Sequence, residues 1–222
     1  AVKVTPDGRM IPICSGLRSP GGVAANAEGA MFCIESQGPW TGSCSLKHLK
    51  PGGFLGHPAS YNWYPYALDL DPPANEPNSN SRILVEKKRV KELVPPAVRF
   101  PYIKMGRSIS GFQLNQTKGK FGPFEDQLFF GDYTLSLIMR VTTEEVNGVW
   151  QGACYPFREG LSNMFISLEP NTSVFTWAVI LVEICREFVI AWFFPNLWIS
   201  GVTELFLDVC SRAPQSLFFS RP

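Results

Sequence analysis

Short apolar runs separated by turn-forming residues make up most of this chain. Met31-Phe32-Cys33-Ile34 follows a turn over Asn26 to Gly29, and Gln127-Leu128-Phe129-Phe130 follows another over Asn115 to Lys120. Runs of that length bounded by Gly, Asn and Asp predict strands, and no long run in the first 160 residues keeps helical spacing. The segments recur as parts of a longer unit. Ser15-Gly16-Leu17-Arg18-Ser19-Pro20 leads through Gly22-Val23-Ala24-Ala25 into the first turn, and Ser110-Gly111-Phe112-Gln113-Leu114 leads into the second. Farther on, Leu137-Ile138-Met139-Arg140-Val141-Thr142 is similar to Val2-Lys3-Val4-Thr5, and Gly152-Ala153-Cys154 to Pro12-Ile13-Cys14. A third copy is predicted from Met164-Phe165-Ile166, with a turn over Pro170 to Ser173 and a restart at Val174-Phe175.

The interval from Phe32 to Phe130 is about twice that from Phe130 to Phe175, a period of about 45 residues, which is the length of a four-stranded propeller blade. The expected fold is all-β: a partial six-bladed β-propeller over about residues 1–170. Six blades at that period need on the order of 270 residues, more than the 222 present, so the chain reads as an incomplete ring. The alternative is a β-sandwich with coincidental spacing. Residues 64–101 read as a surface loop or insertion, because Asp71-Pro72-Pro73-Ala74-Asn75-Glu76-Pro77-Asn78 cannot hold a strand ladder. Within it, Glu86-Lys87-Lys88-Arg89-Val90-Lys91-Glu92 reads as a solvated face.

Composition changes this picture at one end. Eighteen of the 19 glycines lie before residue 161, and Phe175-Thr176-Trp177-Ala178-Val179-Ile180-Leu181-Val182 runs on without turn residues. Residues 171–222 are therefore expected to form an atypical tail, either a natural buried helix or strand pair or the product of a reading-frame shift after about Pro170. Val174 to Phe194 is long enough to span a bilayer. Glu183, Arg186 and Glu187 at its centre, each costing roughly 2.5–3.5 kcal/mol there, argue against a span. The start at Ala1, without Met or an apolar leader, suggests a mature form or a fragment. The balance of 20 basic and 19 acidic residues lacks the cationic excess of a nucleic-acid binder.

Candidate chemistry is sparse. Cys14, Cys33, Cys44, Cys154, Cys185 and Cys210 show no metal or redox spacing, and the first, second and fourth fall on predicted strands as small buried apolar groups. Disulfides between them remain possible pairings that spacing does not choose. His48 and His57 have no carboxylate at ligand distance in the sequence. Asn115-Gln116-Thr117 and Asn171-Thr172-Ser173 fit the glycosylation triplet at predicted turns. No Ser/His/Asp arrangement or phosphate loop supports hydrolase or nucleotide chemistry.

The most specific run is Glu35-Ser36-Gln37-Gly38-Pro39, followed by Lys50-Pro51-Gly52-Gly53-Phe54-Leu55-Gly56-His57-Pro58. A Gln-Gly-Pro turn at a strand end can aim backbone oxygens at a cation or cofactor. Here the chain resembles the glucose/sorbosone dehydrogenase family, whose six-bladed propellers include enzymes that bind pyrroloquinoline quinone (PQQ) and calcium and oxidise sugars. In that family an E-x-G-P or E-Q-G-P motif precedes an acidic stretch and a G-G-N-Y-G-W-P motif. The resemblance covers about residues 1–170, Ser110 to Asp132 being similar to the family's following blade. It implies cofactor contacts at Gln37 and Gly38, calcium contacts at Gly38 and Pro39, a sugar or glycan as partner, and a periplasmic or extracellular site of action. Glu35, Arg107 and Asp132 are further pocket candidates, with plain alternatives: Glu35 and Gln37 satisfying backbone groups, Arg107 pairing with Asp132, and Asp132 with Tyr133 shaping a turn. The chain departs from the family in lacking an acid between Trp40 and His48, in Thr134 where a lysine is expected, and in lacking paired arginines near 160–166, where Arg158 is nearest. The family's catalytic histidine belongs to an earlier blade, so the catalytic residue of this chain is unknown. The second function reading is a non-catalytic propeller binding a carbohydrate or protein, as one module of a larger protein.

Overall fold

The computed structural model describes residues 1–159 except Pro39 and Leu68, and beyond them the backbone of three strands. In chain order the elements are β1 (Val2–Val4), β2 (Met10–Pro12), β3 (Cys14–Ser15), β4 (Pro20–Ala25), β5 (Met31–Glu35), β6 (Ser45–His48) and β7 (Gly53–Phe54). There follow two 3-10 turns (Pro58–Asn62 and Tyr64–Tyr66), α1 (Ile83–Arg89), β8 (Val98–Arg99), β9 (Ile109–Leu114), β10 (Leu128–Asp132), β11 (Leu137–Val146) and β12 (Val149–Glu159). The later strands are β13 (Met164–Leu168), β14 (Phe175–Val182) and β15 (Phe188–Trp192).

Two four-stranded antiparallel sheets organise the described residues, in the orders β4-β5-β6-β8 and β9-β10-β11-β12. Each is a meander: turns closed by Asn, Asp or Gly join β4 to β5 and β9 to β10, and a longer segment carrying β7 and α1 joins β6 to β8. Asn26 and Asn115 act alike: the Asn26 side-chain oxygen accepts from Ala30 N at 2.9 Å, and that of Asn115 from Thr117 N at 3.2 Å. First strands β4 and β9 lie together, and last strands β8 and β12 lie together. A single core fills the space between the sheets, drawing Phe32, Ile34, Leu46 and Phe100 from one side and Phe112, Leu128, Phe130 and Met139 from the other. Phe112 stacks on Phe130 with ring centroids 4.8 Å apart. The first strand of the third sheet, β13-β14-β15, lies in turn against β9. Four-stranded meanders stacked face to face through successive first strands are propeller blades. The fold is all-β and part of a propeller, with β1-β2 as a separate hairpin.

Several expectations are corrected in detail. The 64–101 segment is an insertion, one of the two expected readings, but its end also supplies β8, the strand that closes the first blade. It also contains α1, whose seven residues are too few to show a period. The 86–92 stretch is not wholly solvated: Glu86 and Val90 are buried, and Lys88 and Arg89 are exposed. The repeat register shifts by one residue. Ala24 pairs with Phe32, whereas Gln113, its counterpart in β9, pairs with Phe129. Phe32 is thus equivalent to Phe129, and Phe130 to Cys33, with opposite faces toward the shared core.

The predicted third-copy strands at Met164 and Phe175 are present as β13 and β14, paired Met164 to Val179 through Leu168 to Phe175. Pro170 to Ser173 and residues 193–222 lie outside the described residues. Among the described residues no helix is long and apolar enough to cross a membrane.

Candidate functional site

The two predicted motifs meet at one end of the first blade. Residues 52–57 thread between neighbouring backbone segments: Gly52 N donates to Ile13 O at 2.7 Å, Leu55 N to Ser15 O at 2.8 Å, and His57 N to Gly16 O at 2.9 Å. Gly16 makes the approach possible. Its φ is +80°, and a Cβ there would stand 2.7 Å from Leu55 N and Gly56 N.

Beneath this crossing lies a buried ion pair. Alternation along β5 puts Cys33 and Glu35 on the face opposite Phe32 and Ile34, and Lys47 on β6 pairs with Cys33 on that same face. The Lys47 ammonium donates to Glu35 Oε2 and to Leu55 O, the latter at 2.8 Å. Glu35 Oε1 accepts from the backbone N–H groups of Arg18 and, at 3.4 Å, Ser19. The side chains of Lys47 and Glu35 are 1% and 3% exposed, so each charge depends on these partners for what water would otherwise supply. Lys47 therefore fastens the Glu35–Gly38 motif to the 52–58 motif. Burial beside the pair also pushes the Cys33 thiol up to about 12, which keeps it protonated and unreactive at neutral pH.

The second blade repeats the device at the equivalent position. Asp132, fully buried at the end of β10, accepts through Oδ2 from Arg107 N at 2.6 Å and Ser108 N at 2.8 Å, and through Oδ1 from Leu135 N at 2.8 Å. Arg18-Ser19 and Arg107-Ser108 correspond, as do Glu35 and Asp132. These carboxylates fasten the entry of the first strand to the exit of the second, which is the backbone role weighed for Glu35 and the turn-shaping role weighed for Asp132. Arg107 meets Asp132 through its backbone N–H; no ion pair joins its guanidinium to the carboxylate.

Above the clip sits the Gln37–Gly38 turn. Gln37 O accepts from Arg18 Nη1 at 3.1 Å, and Gly38 N donates to Thr41 O at 2.7 Å. The Arg18 guanidinium lies directly on Gly38, where a Cβ would come within 2.6 Å of it. His57 is close enough to feel Glu35, Arg18 and Lys47. Burial holds its imidazole below the ordinary value, with Arg18 and Lys47 acting in the same direction and Glu35 opposing. Its Nδ1 accepts from Ala59 N at 3.3 Å, which leaves the Nε2 edge as the proton-bearing one in the neutral ring.

This arrangement does not fit calcium. The carbonyl of Gln37 is already engaged by a cation, a guanidinium covers Gly38, and both oxygens of Glu35 are committed to the clip. No group of three or more His, Cys, Asp or Glu side chains suited to a metal occurs among the described residues. Pro39, the other expected calcium contact, lies outside them. The charge of Lys47 is balanced by Glu35 in the clip, so Arg18 is the cation that this turn presents.

Sequence reasoning missed Lys47 and Arg18. The signal for Lys47 was its place two residues into β6, on the same face as Glu35 across the hairpin. For Arg18 it was the Arg-Ser pair recurring at Arg107-Ser108.

No family model matches the chain, and neither does any curated protein. Among solved structures, the chain is similar to an oxidoreductase described as a glucose dehydrogenase from Thermus thermophilus, with TM-score 0.49 and 15% identity, over 78% of this chain and 42% of that one. It is also similar to the PQQ-bound form of aldose sugar dehydrogenase from Streptomyces coelicolor, with TM-score 0.48 and 14% identity, over 80% of this chain and 45% of that one. The chain spans less than half the length of either structure.

Proposed function

We propose that the chain is a section of a sugar-dehydrogenase-type propeller, acting in the periplasm or outside the cell, whose whole protein takes a sugar or glycan at the blade end carrying Gln37 and Gly38. The observation that carries this reading is the Lys47 clamp. Two motifs that the family resemblance pairs, well apart in sequence, are fastened together by one buried ammonium through Glu35 and Leu55. PQQ-linked oxidation of a sugar hydroxyl is the activity this reading assigns to the whole protein. A second reading, sugar binding without oxidation, is favoured by the Arg18 guanidinium lying where calcium would be expected.

Dye-linked oxidation of aldoses by the full-length protein, with and without added PQQ and calcium, separates the two. Turnover that requires the quinone supports the dehydrogenase. Retention of sugar without turnover supports the binding module, and neither turnover nor retention rejects both.

A further inference from the structure

We propose a second ligand site, for a carboxylate-bearing saccharide such as a hexuronate unit, in the cleft between Trp40-Thr41 and the 79–86 segment of the insertion. The cleft has a volume of ≈ 590 Å³, within the range of small-molecule pockets. Its walls include Trp40 and Thr41 on one side, Asn80 and Arg82 on the other, and Arg99 from β8.

Charge defines the ligand class. Arg82 and Arg99 are exposed, and among the described residues neither guanidinium makes a hydrogen bond or ion pair. The one acid in the lining, Glu86, does not neutralise them. Its carboxylate is 3% exposed as a residue and turned inward, accepting from Asn78 N at 2.9 Å and Arg89 Nη2 at 2.6 Å. Hydrogen bonds from the Ser81 side chain, then Asn78 and Arg89, hold that carboxyl down at about 2, so it stays committed to these partners across the neutral range. Two arginines without a side-chain partner among the described residues therefore line one cleft, and guanidinium groups recognise carboxylates through paired N–H donors.

The other lining groups supply saccharide chemistry. Trp40 is partly exposed, and its indole nitrogen lies beside Gly56, where a Cβ would come within 3.3 Å of it. The ring is therefore held at the junction of both motifs while it also lines the cleft. An aromatic surface packs against the apolar face of a pyranose, and the Thr41 hydroxyl and Asn80 amide can hydrogen-bond its hydroxyls. The site needs no quinone or metal, so it stands independently of the redox reading.

Isothermal titration of the full chain with a galacturonate trisaccharide, a neutral glucose trisaccharide and inorganic phosphate tests the proposal. Saturable binding of the uronate and weaker or absent binding of the other two is expected. Arg82→Ala and Arg99→Ala should each weaken uronate binding by about tenfold, as expected for loss of a charge-assisted hydrogen bond. Because both arginines are exposed, their variants should melt with the parent chain, and Trp40→Ala should weaken uronate binding as well. Absence of uronate binding at millimolar concentration overturns the proposal. So does equal binding of phosphate, or full affinity in the Arg82→Ala/Arg99→Ala double variant.

Discussion

His48 shows how one side chain can set the conditions under which the sheets hold together. Its ring lies 5.4 Å from that of Phe32 in the same blade and 6.3 Å from that of Trp150 in the next. Burial keeps its titration below the ordinary 6.5, Lys50 acts in the same direction, and Glu145 opposes. The unfolded chain therefore takes up this proton at a higher pH than the folded one. Stability from the neutral ring is complete above 6.5 and declines as pH falls through the lower folded value. Melting temperature should accordingly be level near pH 8 and fall as the pH drops below about 6.5. His57 contributes in the same direction, so the share of His48 is read by difference. His48→Leu should flatten part of the acid slope, and an unchanged slope would remove His48 from the account. Lys47 carries a related lesson about legibility. A lysine between Leu46 and His48 reads as an outward strand position, and only knowledge that both faces of this sheet are covered turns it inward beside Glu35.

At the scale of elements, the carboxylate clip defines the repeat better than apolar residues do. Most strand positions were legible because turns at Asn26 and Asn115 bracket them. Their exact equivalence was not, since Phe32-Cys33-Ile34 and Leu128-Phe129-Phe130 are buried throughout and give no alternation to fix the face. Glu35 and Asp132 settle it, because each has to reach the N–H pair of an Arg-Ser step. β8 was hidden for another reason: two residues framed by Pro95-Pro96 and Pro101 carry almost no strand signal. The clip makes a sharp prediction. Asp132→Asn keeps one acceptor oxygen but turns an NH2 group toward a backbone N–H, so it should destabilise the chain by about 1–3 kcal/mol in urea titrations. Amide exchange at Arg107, Ser108 and Leu135 should quicken more than at Val141, in the middle of β11. A uniform change across all four amides would mean that Asp132 does not act through the strand entry.

For the whole molecule, what matters is how closely the first strands of adjacent blades can approach. Composition showed glycine concentrated in the region that forms these sheets, and the structure gives two of those glycines a reason. A Cβ at Gly21 would meet Ile109 O at 2.7 Å, and one at Gly22 would meet Gly111 Cα at 3.0 Å. Both obstacles are backbone, so neither can yield as a flexible side chain would. Space is the issue at Gly22, whose φ lies outside the left-handed region. Gly42 provides the matching control, since it also avoids positive φ and a Cβ there would meet nothing within 4 Å. Gly22→Val should force β4 away from β9 and loosen the contacts between Phe32, Phe112 and Phe130, at a cost of about 1–3 kcal/mol from overpacking. Gly42→Ala should leave the melting temperature near that of the parent chain or raise it slightly, by reducing the freedom of the unfolded chain. Thermal unfolding of the two variants beside the parent decides the point. Equal melting temperatures for all three would mean that the close backbone contact of β4 with β9 does not hold the blades together, and their shared aromatic core would have to do so alone.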